Sequence, residues 1–113
     1  MNFEKRIKPF WWNDENGSFA VCLNVGDYKP EIFESRADEG CEGNGYDWEA
    51  LARVFLEEKY EEFLEDIEFD SEAGLFSIHC DDPVILKKFI LAFKEACEDT
   101  DLILDLFSRA EID

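Results

Sequence analysis

The 113 residues carry 29 Asp and Glu against 11 Lys and Arg, a formal net charge of −18, which argues against nucleic-acid backbones and anionic membranes as partners because both are repelled. The length is that of one domain, and 46% hydrophobic residues with eleven Phe, three Trp and three Tyr supply a core that disordered acidic segments lack. No apolar run is long enough to span a bilayer.

The chain opens on Met1 to Arg6 and the charged, proline-broken Ile7-Lys8-Pro9. An apolar signal segment is absent there, so a cytoplasmic protein is expected. The run Ile7 to Trp12 reads as a strand, Asn16-Gly17 as the tight turn of a hairpin, and Ser18 to Val25 as its return. Phe19, Val21, Leu23 and Val25 alternate onto one face, with smaller residues between them. Of Trp11 and Trp12, neighbours on a strand, one points inward and one outward. Between Gly26 and Asn44 the pattern is irregular, and Tyr28, Ile32 and Phe33 fit either a helical turn or a short strand. Three glycines close together, Gly40, Gly43 and Gly45, make the next stretch a loop.

From Asp47, placed as the cap, a helix is predicted, with Trp48, Leu51, Ala52, Phe55 and Leu56 on one face. The acid-rich Glu57 to Glu65 continues it or begins a second helical piece. A second hairpin follows, with Ile67 and Phe69 going out, a turn over Asp70 to Gly74, and Leu75 to Cys80 returning. Asp82 and Pro83 then open the clearest helix, with Leu86, Phe89, Ile90, Phe93, Ala96 and Cys97 as its buried stripe. Glu98 to Asp101 breaks it and caps a last helix bearing Leu102, Ile103, Leu106, Phe107 and Ala110. The expectation is a single α+β domain over residues 1–113: an antiparallel sheet built from two β-hairpins and packed against about three helices.

No catalytic set emerges from this pattern. His79 is the only histidine, and on a strand its side chain and that of Cys80 point to opposite faces, so they cannot form a relay or share a metal ion. Cys22, Cys41, Cys80 and Cys97 lie 19, 39 and 17 residues apart, with no close pair. Cys22, Cys80 and Cys97 read as small buried hydrophobes, and Cys41 falls in the flexible glycine loop. That loop superficially resembles a phosphate cradle, but Asp38, Glu39, Glu42 and Asp47 repel phosphate. No calcium-loop order is present among these acids, and no cofactor is called for. Carboxylates and an aromatic on one loop instead suit recognition of a basic protein surface, where rings anchor and acids pair with Arg or Lys. The candidate contact residues are therefore Asp38, Glu39, Glu42, Tyr46 and Asp47.

The run Phe33 to Gly40, with Arg36-Ala37-Asp38-Glu39-Gly40, followed by Gly43-Asn44-Gly45-Tyr46-Asp47-Trp48, resembles the immunity protein 51 family of bacterial polymorphic-toxin systems. The two hairpins and the tail from Phe93 to Ala110 fit the same pattern, so the resemblance covers nearly the whole chain. It implies a small cytoplasmic α+β protein that binds and neutralises a cognate toxin, with no catalysis and no cofactor. The charge adds that the toxin presents a basic surface. The alternatives are an acidic protein-binding adaptor or DNA-mimic inhibitor unrelated to toxins, and a small metal-dependent enzyme using the loop carboxylates.

Overall fold

The structure, a computed structural model, describes residues 2–15 and 17–112. Two hairpins make the sheet. The first joins β1 (Trp11–Glu15) to β2 (Ser18–Asn24), and the second joins β3 (Glu68–Phe69) to β4 (Leu75–Cys80). They lie side by side through β2 and β4 in the order β1-β2-β4-β3, every pair antiparallel. In the first hairpin Glu15 stands opposite Ser18. The Asn16 half of the expected turn lies outside the described residues, and Gly17 takes φ +81, open to glycine without strain.

Register sorts the side chains into two faces. Trp12, Val21, Ile78 and Phe69 form one cross-strand row, with Leu23 and Phe76 paired one row away. On this face sit α3 (Gly45–Lys59) and α4 (Pro83–Glu98), and α5 (Thr100–Phe107) packs in turn on both helices. The buried stripes follow helical spacing: Trp48, Leu51, Ala52, Phe55 and Leu56 from α3, and Leu86, Phe89, Ile90, Phe93, Ala96 and Cys97 from α4. Phe93 is the hub, its ring centroid 5.4 to 6.3 Å from those of Phe10, Trp48, Phe55, Phe76 and Phe89. Burying each such ring contributes about 1.5–3 kcal/mol, so one continuous aromatic cluster holds sheet and helices together.

The helix starts obey capping chemistry. Asp82 accepts from the Val84 N–H at 2.9 Å with Pro83 at the first position. Asp99 accepts from the Leu102 N–H at 3.3 Å and opens α5. The α+β expectation holds, with five α-helices among the described residues.

Several local expectations are corrected. Ile7 to Phe10 is not strand: α1 (Phe3–Arg6) precedes it, and pairing begins only at Trp11. Pro9 has no N–H to give a ladder, and Ile7 and Phe10 are buried beneath the turn they make. The undecided segment is helical, as α2 (Pro30–Glu34) and a 3₁₀ turn over Ala37–Glu39. The cap of α3 is Asn44, whose Oδ1 accepts from the Asp47 N–H at 2.9 Å, and not Asp47 itself. α3 ends at Lys59, and Glu61–Phe63 forms a separate 3₁₀ turn. α5 stops at Phe107, leaving Ala110 buried beyond its end. Cys41 lies in the loop as expected, but its side chain is buried.

Candidate functional site

The loop from Arg36 to Asp47 is tied down at three points. Arg36 forms a two-pronged ion pair with Glu39, Nε to Oε2 and Nη2 to Oε1, both at 2.8 Å. Its remaining nitrogen, Nη1, donates to the carbonyls of Phe107, the last residue of α5, at 2.8 Å and of Ala110 at 2.7 Å. A guanidinium suits this task because its fixed fork reaches a carboxylate and two backbone carbonyls at once. The Arg36 hydrogen bond holds the Glu39 carboxyl below its ordinary range.

Asp47 is the second tie. Only 7% exposed, it accepts from the Glu42 N–H at 2.7 Å and the Gly43 N–H at 2.9 Å through one oxygen. The third is Gly45, whose N–H donates to the Ala73 carbonyl in the turn between β3 and β4 at 2.9 Å. Cys41 is enclosed by this wrapping, and burial pushes its thiol upward.

The five loop candidates therefore divide. Asp38, Glu42 and Tyr46 face solvent, Tyr46 with 56% of its surface free. Tyr46 also borders a cavity of about 520 Å³ with Asp47, Glu49, Arg53, Glu111 and Ile112. Glu39, though exposed, is already paired, and Asp47 is occupied with backbone donors. What the loop can do chemically is present two exposed carboxylates, that of Glu42 accepting from the Asn44 side-chain amide at 3.4 Å, and a phenol ring on a braced backbone. Bracing matters for recognition because a preformed loop loses little conformational entropy on binding.

The rest of the chemistry is sparse. His79 stands on the open sheet face, its Nε2 at 3.3 Å from Ser77 Oγ and 3.4 Å from Asp70 Oδ2. Cys80, next in sequence, is buried on the helix side, as strand alternation requires. Among the described residues no three His, Cys, Asp or Glu side chains converge as metal ligands, and no helix is long and apolar enough to cross a membrane. The acidic helix face is partly compensated, since Glu58 meets Arg109 at 2.8 Å.

One surface lay outside the expectation from sequence: the bare face of the sheet and its β3 edge. Its signal is legible in the chain as missing cations. No Lys or Arg occurs from Pro9 to Tyr28 or from Tyr60 to Leu86, the two stretches that contain every strand.

A family model described as Immunity protein 51 matches residues 10–112. No curated protein and no solved structure matches the chain.

Proposed function

Because the chain belongs to the immunity protein 51 family, we propose that it binds and neutralises a cognate bacterial toxin domain, in the cytoplasm and without catalysis of its own. The observation that carries this reading is the family match over residues 10–112, nearly the whole chain. The charge supports it: a protein at −18 meets a basic partner faster than a neutral one and disfavours anionic competitors. A toxin with a basic surface is thus the partner that fits, with no part for nucleic acid or membrane.

In this reading the outward groups of the loop, Asp38, Glu42 and Tyr46, contact the toxin. Glu39 and Asp47 keep the loop in shape. The test is titration calorimetry against the product of the adjacent gene, where the toxin of an immunity gene is expected. Stoichiometric binding that weakens as salt rises is expected. No binding at micromolar concentrations overturns the reading.

A further inference from the structure

The helices all gather on one side of the sheet, and the other side is bare among the described residues. Register places Trp11, Cys22 and Ser77 in one row of that bare face, and Asn13, Ala20, His79 and Glu68 in the next. Ala20, Cys22 and Ser77 are short and form a floor that taller neighbours shield, each being buried. Trp11 rises at the β1 side with 41% of its surface exposed, and Glu68 and Asp70 stand exposed on the β3 side. The result is a shallow trough, aromatic along one wall and acidic along the other.

Charge is segregated around it. Four cations are paired away from the bare face: Arg36 with Glu39, Arg53 with Glu49, Lys94 with Glu98, and Arg109 with Glu58 and Asp105. Lys87 lies over the rings of Phe3 and Trp12, and Lys88 over Phe63. By contrast, residues 60–86 hold nine Asp and Glu and no Lys or Arg. Six of those acids (Glu65, Asp66, Glu68, Asp70, Asp81 and Asp82) line a cavity of about 430 Å³ on the β3 edge, with His79 also on its wall and no Lys or Arg there.

We propose that this open sheet face, from Trp11 across Ala20, Cys22 and Ser77 to the acidic β3 edge, is where the basic surface of the cognate toxin docks. The proposal rests on the toxin-binding reading above and names the surface that does most of the work. Charge complementarity selects the occupant. A second copy of this chain brings another −18 to a face already rich in acids, whereas an Arg- or Lys-bearing surface finds carboxylates that no Lys or Arg among the described residues pairs with. An exposed Trp at the side of a flat floor is the kind of anchor that dominates protein interfaces.

Size then fixes the extent of the footprint. Four strands about 4.8 Å apart and a six-residue β4 at about 3.3 Å per residue give a plane on the order of 300 Å². A stable interface buries roughly 800 Å² on each partner, so the toxin must also cover the β3 edge with its cavity.

The experiment compares two charge-reversed variants with the wild type in calorimetry against the product of the adjacent gene. One carries Glu68→Lys and Asp70→Lys, and the other Asp38→Lys and Glu42→Lys. All four side chains are exposed, so both variants should melt close to wild type. A loss of affinity of at least tenfold in the sheet variant, larger than in the loop variant and with a flatter salt dependence, is expected. Adding Trp11→Ala should deepen the loss. Wild-type affinity within twofold in the sheet variant overturns the docking surface while leaving the toxin reading standing.

If the wild type itself fails to bind, the toxin reading falls. The surface is then decided by titrating the ¹⁵N-labelled protein with a nona-arginine peptide. Amide shifts clustered on β1, β2, β4 and the β3 edge support it, and shifts confined to α3 and the Arg36–Asp47 loop overturn it. A concentration-dependent dimer in sedimentation, lost in the Trp11→Ala variant, assigns the face to a second copy and also overturns it.

Discussion

Gly45→Ala is the substitution whose cost the structure dictates most directly. A Cβ at this position would sit 1.8 Å from the Glu72 carbonyl oxygen, 2.5 Å from that of Leu75 and 2.9 Å from the Leu75 carbonyl carbon. These are backbone atoms, so no side chain can swing away. The turn between β3 and β4 has to move by more than 1 Å, and the Gly45 N–H loses good geometry to Ala73. The lost hydrogen bond costs about 1 kcal/mol, and overpacking adds about 1–3 kcal/mol. Against these, alanine restricts the unfolded chain and returns about 0.4–1 kcal/mol. The net expectation is a destabilisation of about 1–3.5 kcal/mol.

Gly74 is the control, because it has nothing within 4 Å of an added Cβ and its φ is ordinary. Gly74→Ala should be neutral or stabilising by up to about 1 kcal/mol. Urea unfolding followed by the fluorescence of buried Trp48 measures both. With a slope of about 2 kcal/mol/M, Gly45→Ala should lower the midpoint by roughly 0.5–2 M. A Gly45→Ala midpoint equal to that of Gly74→Ala would refute the close approach of α3 to the hairpin.

Phe93→Ala should cost about 3–5 kcal/mol, since it empties the centre of the aromatic cluster; a loss under about 1 kcal/mol in the same urea assay contradicts the packing. Asp47→Ala strands the Glu42 and Gly43 N–H groups and should cost about 1–3 kcal/mol in thermal melts, with hydrogen exchange accelerating at those two amides. Glu98 is held below its ordinary range chiefly by the Tyr28 hydroxyl that donates to it. A depressed carboxyl stabilises the fold above its unfolded value and loses that contribution as pH falls through its folded value. The stability difference between wild type and Tyr28→Phe should therefore be full at neutral pH and shrink below about pH 4; a difference that stays constant down to pH 2 contradicts the pair. All four cysteines are free and buried, so alkylation should be slow in native buffer and reach four sites by mass in denaturant.

Legibility in the sequence tracked the range of the forces involved. Both hairpins and the α4 stripe from Leu86 to Cys97 are written in local periodicity, and Asp82 and Asp99 cap within three residues of the N–H groups they serve. The bracing of the loop is not legible in the sequence because its restraints are distant: Arg36 reaches the Phe107 and Ala110 carbonyls across more than seventy positions. Asn44 and Asp47 were indistinguishable as caps from spacing alone, and only geometry shows Asp47 turned back onto Glu42 and Gly43. The burial of Ala20 and Cys22 opposite the core face was equally hidden, because it depends on Trp11 and on β4 beside them. The absence of Lys and Arg from residues 9–28 and 60–86 needed no structure to be seen. It acquired meaning only once those stretches came together in one sheet.

The most direct test of the central claim is neutralisation in living cells. The product of the adjacent gene is expressed from an inducible promoter, with and without this chain from a second plasmid. Full colony formation only when the chain is co-expressed, lost in a variant carrying Glu68→Lys and Asp70→Lys that still folds, is the expected result. Equal killing with and without the chain, at expression levels matched by immunoblot, contradicts it.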